Sequence, residues 1–285
     1  MAKLIFGCGY LGGRVAELWR AAGDEVYVVT RSAQRAATFA AAGLKPIVAD
    51  LATSTELPIP QGVRTVLFAV GYDRTSSQSI QEVYVGGLGR SIAALPRSIQ
   101  RFIYISSTGV YGHVTGNEVD ESSPCEPTRE GGRACLAAEG LLHSSRLADM
   151  SIILRLAGIY GPGRIPRSQD LLAGKPIDAP ASGWLNLIHV EDAAQIVLLA
   201  EQQVQPPKLY VVSDGQPVIR GDYYRELARL LGAPPPRFVE PPADSPAAAR
   251  AASDKRVNPR RLFADLSPAL LYPSYREGLA AITKP

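Results

Sequence analysis

The sequence predicts an α/β protein built on a doubly wound parallel sheet, with a smaller lobe in its C-terminal part. Three observations carry this prediction. A glycine-rich turn follows the first apolar run, short apolar runs then alternate with helical patterns, and this alternation stops after Leu156. Parallel strands covered by helices on both faces give this pattern. The chain has 285 residues, which is enough to bury a sizeable core.

The first strand and the first helix meet at the glycine-rich turn. Gly7, Gly9 and Gly12 have G-x-G-x-x-G spacing between an apolar run and a helical pattern. The first glycine makes the tight turn, the second lets the backbone approach a pyrophosphate, and the third lets the helix pack closely on the strand. The helix start adds N–H groups and its dipole. We therefore predict a dinucleotide site at Gly7, Gly9, Tyr10, Leu11 and Gly12, with a glycine-rich turn of another α/β protein as the alternative.

The next elements alternate in type along the chain. After the first strand, the apolar runs predict strands at residues 25–30, 45–49, 63–70, 101–106 and 151–155. Helical spacing predicts helices at residues 33–42, 77–95 and 133–147. Residues 158–183 are rich in glycine and proline and are predicted to be loop and turn. A helix at 190–202, a strand at 208–212 and a helix at 221–231 follow.

This order predicts two domains. Residues 1–157 form a dinucleotide-binding domain, and residues 158–285 form a smaller substrate lobe. The helix near 190–202 and the strand near 208–212 return to the central sheet.

The residues after the second predicted strand indicate which dinucleotide is bound. In sites that select NAD, an acidic side chain at this point holds the ribose 2′-hydroxyl. Here the segment contains Arg31 and Ser32 and no carboxylate. Arg31 would pair with a 2′-phosphate, and Ser32 would add a hydrogen bond. We therefore predict NADP, with NAD as the second choice; an exposed loop arginine is the alternative for Arg31.

Further cofactor contacts are predicted where other strands end. Asp50 follows the third predicted strand, where its side chain would accept a hydrogen bond from the adenine amino group. An ordinary turn residue is the alternative for Asp50. The other predicted contacts lie at the ends of strands three to five: Leu51, Ala69, Val70 and Ser106.

Five segments, in the same order along the chain, resemble one family. They are residues 7–13, 50–51, 104–112 (YISSTGVYG), 154–163 (LRLAGIYGPG) and 186–192 (NLIHVED). Together they resemble the extended short-chain dehydrogenase/reductases of the NAD-dependent epimerase/dehydratase type. The resemblance implies a Rossmann sheet, NAD(P) binding and hydride transfer to or from a small-molecule substrate.

The family's catalytic pattern is incomplete in this sequence. The resemblance places the family's Ser/Thr at Ser107, but its Tyr and Lys fall on Gly131 and Cys135. None of the twelve tyrosines is followed by lysine four residues later. A phenol titrates near pH 10 and needs a nearby cation to work at neutral pH. The chain therefore resembles the atypical members that lack the Tyr-x-x-x-Lys pair.

We predict that Ser107 binds the substrate oxygen and that Tyr160 serves as a relocated acid. Tyr111 and His189 are further candidates. Packing of a loop is the alternative for the two tyrosines, and joining the two domains is the alternative for His189. The predicted function is an NADP-dependent oxidoreductase acting on a carbonyl or hydroxyl substrate. The alternative function is a non-catalytic redox sensor or scaffold that binds NADP without turnover.

Composition and motifs exclude several other classes of function. A net charge of +3 is too small to indicate nucleic acid or a membrane surface as partner. No apolar run reaches the roughly 18 residues of a membrane helix, and no signal-peptide pattern is present, so we expect a cytoplasmic protein. The histidines His113, His143 and His189 lack metal-ligand spacing, so no metal is expected.

The expected partner is a small-molecule substrate. Arg164 and Arg167 would hold an anionic group of it, such as a phosphate, and exposed loop arginines are an equal alternative. The resemblance also implies a homodimer, since dimers of the family often pair two helices that flank the sheet.

Overall fold

The computed structural model describes residues 1–54, 56–73, 75–112, 115–252 and 254–283, so His113 lies outside the described residues. The strands are β1 (Ala2–Phe6), β2 (Glu25–Thr30), β3 (Lys45–Val48), β4 (Val63–Phe68), β5 (Arg101–Ser107), β6 (Glu118–Val119), β7 (Ser151–Leu156), β8 (Gly158–Tyr160), β9 (Ile177–Asp178), β10 (Trp184–Leu185), β11 (Leu187–His189), β12 (Lys208–Val212), β13 (Val218–Ile219), β14 (Phe238–Val239) and β15 (Arg256–Val257). The α-helices are α1 (Tyr10–Ala21), α2 (Ala33–Ala41), α3 (Gly87–Ala94), α4 (Glu130–His143), α5 (Ser168–Leu172), α6 (Val190–Gln203), α7 (Arg220–Leu231), α8 (Pro246–Ala251), α9 (Arg260–Leu266) and α10 (Tyr275–Thr283).

The central sheet has the doubly wound order. Within the part of the chain that the structure describes, its seven strands run β12-β7-β5-β4-β1-β2-β3. β1 pairs in parallel with β2 and with β4, β2 with β3, and β4 with β5. The chain therefore moves outwards from β1 first in one direction and then in the other, which creates a switch point beside β1. The predicted fold class is confirmed.

The chain contains two compact units. The first consists of Met1–Ser107, Glu130–Arg155 and Ala194–Tyr210, and the second of Thr108–Arg129, Leu156–Ala193 and Val211–Pro285. The predicted domains, residues 1–157 and 158–285, stay a prediction.

Aromatic residues on adjacent strands fill the core of the first unit. The rings of Phe6, Phe102 and Tyr104 lie with centroids 5.9–6.4 Å from that of Phe68. All four side chains are buried. Strands buried on both faces appear as continuous apolar runs, which is why the sequence predicted the bounds of β4 and β5 to within two residues.

The second unit has its own core, built on the amphipathic helix α7. Tyr223 and Leu227 of that helix are buried with Tyr160, Leu187 and Leu279. The predicted loop at residues 158–183 is wrong in part, because this segment contains β8, α5 and β9. Those elements have two to five residues, too few to show a hydrophobic period.

The helix predicted at residues 77–95 is also interrupted. A π-helical turn at Glu82–Gly86 precedes α3. A Cβ added to Gly86 would lie 2.7 Å from Oε1 of Glu82, so the glycine leaves room for that carboxylate. Such turns are frequent at functional sites. No helix in the described ranges has the length and hydropathy needed to cross a membrane.

Candidate functional site

In the turn between β1 and α1, two of the three glycines have no room for a Cβ atom, and the third has. Gly7 has φ +88°, and a Cβ added to it would lie 2.4 Å from the carbonyl oxygen of Ala69 and 2.6 Å from the nitrogen of Val70. A Cβ added to Gly12 would lie 2.3 Å from the carbonyl oxygen of Gly7. Among the described residues, no atom lies within 4 Å of a Cβ added to Gly9. Two glycines are therefore required by packing, while the backbone at Gly9 faces open space.

The N-terminus of α1 follows directly after this open backbone. Gly9 precedes the helix, and no side chain of the described residues caps it. The guanidinium of Arg14 lies 4.5 Å from the centroid of the Tyr10 ring and donates to the Tyr10 carbonyl oxygen at 2.7 Å. Leu11 is buried. The positive end of the helix dipole and an arginine thus lie at the same end of α1, which suits an anion.

The side chains of Arg31, Ser32 and Arg35, which follow β2, each have a hydrogen-bond partner. The Oγ atom of Ser32 accepts a hydrogen bond from the backbone N–H of Arg35 and caps α2. Arg35 donates to the carbonyl oxygen of Cys8 at 2.7 Å, so its guanidinium lies against the glycine-rich turn. Arg31 pairs with the carboxylate of Asp73 at 2.6 Å. Arg31 and Asp73 are 42 positions apart in the chain, so no local sequence pattern indicates their pairing.

Asp50 shapes its own turn after β3. Its Oδ1 atom accepts from the backbone N–H of Ala52, and its backbone N–H donates to Oγ of Ser54. The carbonyl oxygen of Leu51 accepts from Nε of Arg90 at 2.5 Å. These contacts are those of a strand-end turn, and the adenine contact stays a prediction.

A buried polar network lies between β5, α4 and β7. Oγ of Ser106 donates to the Glu139 carboxylate at 2.5 Å, and Arg155 pairs with the same carboxylate at 2.6 Å. Cys135, where the resemblance expects lysine, lies one turn earlier on α4. Burial, and then the charge of Glu139, raise the pKa of its thiol to about 12. The thiol therefore stays protonated at neutral pH. The cofactor contact of Ser106 stays a prediction.

The two predicted catalytic residues have different settings in their own units. Ser107 is the last residue of β5 and is partly exposed at the carboxyl end of the sheet, where ligands of such folds bind. Tyr160 is fully buried, and its hydroxyl donates to the carbonyl oxygen of Ser274 at 3.3 Å. Burial raises the pKa of Tyr160 far above its usual value. These surroundings favour the packing alternative, and the acid role of Tyr160 stays a prediction.

His189 is held in the core of the second unit. It is buried, and its Nδ1 atom accepts from the backbone N–H of Glu191 at 3.3 Å. Its ring centroid lies 3.8 Å from that of Tyr272 and 5.2 Å from that of Tyr160. These contacts pack the second unit internally.

Sequence reasoning missed a buried lysine in the second unit. Lys255 is only 4% exposed, and its ammonium donates to the carbonyl oxygen of Tyr111 at 3.2 Å. Burial, and then the charge of Arg129, lower its pKa to about 8. The side chain of Asn186 holds the backbone directly after Lys255: it donates to the Lys255 carbonyl oxygen and accepts from the Val257 N–H. Lys255 lies among other basic residues, a composition typical of a solvated surface, so the sequence gives no signal of its burial.

The two arginines proposed for an anionic group lie in the loop after β8. Arg167 has φ +59° and lies 3.9 Å from the Asp170 carboxylate. The backbone of Arg164 pairs with that of Gly161. Binding of an anion by these arginines stays a prediction. Across the residues that the structure describes, no cluster of His, Cys, Asp and Glu is arranged to hold a metal ion.

Comparison with known proteins gives the family of the chain. The model of the NAD-dependent epimerase/dehydratase family matches residues 4–213. This chain belongs to that family. It is therefore an NAD(P)-binding Rossmann protein of the short-chain dehydrogenase/reductase type, as the sequence segments predicted.

Relatives and solved structures extend this similarity. Protein YeeZ of Escherichia coli K12 is 38% identical over 147 residues, covering 51% of this chain and 52% of YeeZ. The chain thus matches about half the length of this curated relative. A conserved protein of unknown function from Silicibacter pomeroyi is 30% identical, with a TM-score of 0.82 over 99% of this chain and 98% of that one. MoeE5, solved with UDP-glucose and NAD, is 22% identical, with a TM-score of 0.79 over 99% and 97%, and shares the fold.

Proposed function

We propose that this protein is an NADP(H)-dependent oxidoreductase that acts on a hydroxyl or carbonyl group of a small, anionic substrate. The observation that carries the proposal is the open backbone at Gly9, between two glycines whose positions are closed by packing. That geometry fits the close approach of a pyrophosphate. Arg35, which donates to the Cys8 carbonyl of the turn, and Arg31, directly after β2, supply positive charge for phosphate groups.

A bound nicotinamide dinucleotide supplies or accepts the hydride in this chemistry. The residues of this chain orient it: the turn at Gly7, Gly9 and Gly12 and the start of α1 face the pyrophosphate, and Arg31 with Ser32 binds the 2′-phosphate. The hydroxyl of Ser107 hydrogen-bonds the substrate oxygen and polarises it. The remaining proposed cofactor contacts are Tyr10, Leu11, Asp50, Leu51, Ala69, Val70 and Ser106.

The substrate class is proposed from the fold relatives and the loop arginines. MoeE5, which shares this fold, was solved with UDP-glucose. A nucleotide sugar carries both an oxidisable hydroxyl and a diphosphate, and the diphosphate would pair with Arg164 and Arg167. The alternative, a redox sensor that binds NADP without turnover, is supported by the absence of Tyr-x-x-x-Lys in the sequence.

Calorimetric titration with NADPH and NADH tests the cofactor proposal. Gly9→Ala places a methyl group in the space proposed for the pyrophosphate, so we expect the affinity for both dinucleotides to fall at least about tenfold, or about 1.4 kcal/mol. Gly13→Ala is the matched control, because its added Cβ also meets no atom of the described residues within 4 Å but lies within α1. It should bind as the wild type does. Equal binding by Gly9→Ala and wild type, with both folded, would refute the proposed site.

A second measurement separates the enzyme from the sensor. NADPH bound to the wild type should be oxidised by a carbonyl compound in a panel that includes 4-keto nucleotide sugars, and Ser107→Ala should slow this oxidation at least about a hundredfold. Tight NADPH binding without oxidation by any member of the panel would favour the sensor.

A further inference from the structure

A carboxylate reaches the end of β2 from a distant part of the first unit. The sequence after β2 contains arginine and serine and no acid, which is the basis for expecting NADP. In the structure, Oδ2 of Asp73 lies 2.6 Å from the guanidinium of Arg31. Asp73 follows β4, the strand on the other side of β1 from β2. A carboxylate from a distant part of the sequence therefore lies beside Arg31 at the end of β2.

Hydrogen bonds fix the orientation of this carboxylate. Oδ1 of Asp73 accepts from the backbone N–H of Thr75 at 3.0 Å and from its hydroxyl at 2.7 Å. The other oxygen is thereby directed at Arg31. The bonds from Thr75, and then the bond from Arg31, lower the pKa of Asp73, so it is ionised at neutral pH.

The loop that carries this ion pair is bonded to the glycine-rich turn through Arg35. Arg31 ends the β2 segment, and Ser32 caps α2 directly after it. Arg35, in the first turn of α2, donates to the carbonyl oxygen of Cys8 between Gly7 and Gly9. The loop that carries Arg31 is thus tied to the turn that would hold the pyrophosphate. The ribose attached to that pyrophosphate would lie near this loop.

NAD(H) and NADP(H) would interact differently with the ion pair of Arg31 and Asp73. A ribose 2′-hydroxyl can donate a hydrogen bond to the Asp73 carboxylate, as it does to the acid of NAD-selective sites. A 2′-phosphate must displace Asp73 from Arg31 and then lies beside a second negative charge. The pair can be displaced, because both side chains are about half exposed, at 56% and 44%, and exposed ion pairs are weak.

We propose that Asp73 is a specificity-determining residue of the cofactor site, which favours NAD(H) and opposes the preference for NADP(H) that Arg31 gives. The protein then binds both dinucleotides with a smaller difference in affinity than Arg31 alone would produce. This inference rests on the proposed dinucleotide site and adds a residue to it.

Dissociation constants for NADPH and NADH measure the effect directly. Asp73→Asn keeps an oxygen that can accept from Thr75 but removes the charge. We expect NADPH to bind about 3-fold to 10-fold more tightly and NADH about 2-fold to 5-fold more weakly. The gain for NADPH should shrink as salt is raised, since it is electrostatic. In the double variant Arg31→Ala/Asp73→Asn, the gain for NADPH should disappear.

Glu25→Gln is the matched control for charge. Glu25 begins β2, at the opposite end from Arg31, and forms an exposed ion pair with Lys45. Its replacement also removes one negative charge but should leave the ratio of the two affinities unchanged. If the wild type binds a dinucleotide and Asp73→Asn leaves that ratio unchanged, this inference fails while the site stands. If the wild type binds neither dinucleotide, both the site and the inference fail.

Discussion

Tyr160 shows how the surroundings of one side chain limit its chemistry. Its hydroxyl lies inside the second unit, where a Cβ added to Gly278 would come within 2.1 Å of it. The pKa of this phenol is raised by burial, which makes proton release harder. The sequence offered Tyr160 as a relocated acid because it follows a strand of the sheet, but a sequence position does not reveal what covers a side chain.

Replacing Tyr160 by phenylalanine tests the packing alternative. We expect the free energy of unfolding in urea to fall by about 0.5–1.5 kcal/mol, because the bond to the Ser274 carbonyl is lost. NADPH oxidation should be unchanged. Tyr223→Phe is the control in the same core, since no partner of its hydroxyl is found among the described residues, and its effect should be smaller. A lost reaction with unchanged stability in Tyr160→Phe would instead support the acid role.

Residues whose function depends on local spacing could be predicted, and those that depend on distant partners could not. The roles of Gly7 and Gly12 in turn and packing follow from the spacing of the motif, and the structure shows both contacts. The pairing of Asp73 with Arg31 and the burial of Lys255 depend on segments far apart in the chain. A single sequence contains no signal for such contacts.

At the scale of elements, one carboxylate, that of Glu139, connects the helix α4 with two strands of the sheet. The side chains of Glu139 and Arg155 are 2% and 6% exposed. Glu139 also accepts from Ser106 on β5. The helix that carries Tyr-x-x-x-Lys in typical family members is thus anchored here by a carboxylate one turn beyond Cys135.

Glu139→Gln removes the charge that neutralises the Arg155 guanidinium. We expect the free energy of unfolding in urea to fall by about 3–5 kcal/mol, because removal of one partner of a buried pair leaves a poorly compensated charge. The double variant Glu139→Met/Arg155→Met should be less destabilised than the sum of its single variants. Ser106→Ala, which removes a hydrogen bond and no charge, should lose only about 1 kcal/mol. Additive effects of the two methionine substitutions would contradict a coupled pair.

Element length decided how well the secondary structure could be predicted. The central strands for which bounds were predicted have four to seven residues, and their ends were predicted to within two residues: β2, β3, β4, β5, β7 and β12. Strands such as β9 and β10 have two residues and carry no period. The π-helical turn before α3 was missed because its spacing differs from an α-helix by only one residue in a short segment.

At the scale of the whole molecule, two buried groups make stability depend on pH in opposite directions. Asp214 is 5% exposed and Lys255 is 4% exposed. Burial is the main cause that raises the pKa of Asp214 to about 7, from an ordinary value of 3.8. Asp192 and Glu277 act in the same direction, while the backbone N–H of Gln216 opposes them. The pKa of Lys255 is lowered to about 8 from 10.5.

The sign of each effect follows from which state binds more protons. Between about pH 4 and 7 the folded state keeps a proton on Asp214 that the unfolded state has lost, so stability falls as the pH rises through this window. Between about pH 8 and 10.5 the unfolded state keeps a proton on the lysine that the folded state has lost, so stability rises with pH. Exposed or half-buried carboxylates whose pKa is lowered by hydrogen bonds act only in more acidic solution: Glu25, Asp73, Asp120, Glu226 and Glu277.

The wild type should therefore be less stable at pH 7.5 than at pH 5 or pH 9.5, as measured by urea unfolding at constant ionic strength. At about 1.4 kcal/mol per pH unit, Asp214 accounts for up to about 3 kcal/mol of the fall between pH 5 and pH 7.5, and Lys255 for up to about 2 kcal/mol of the rise between pH 7.5 and pH 9.5. Asp214→Asn should flatten the acidic side of the profile only, and Lys255→Met the alkaline side only. A profile that keeps both slopes in the double variant would show that other groups set them. One slope lost in each single variant would show that the second unit holds two buried groups that titrate independently, and that ionising either one in the folded state costs stability.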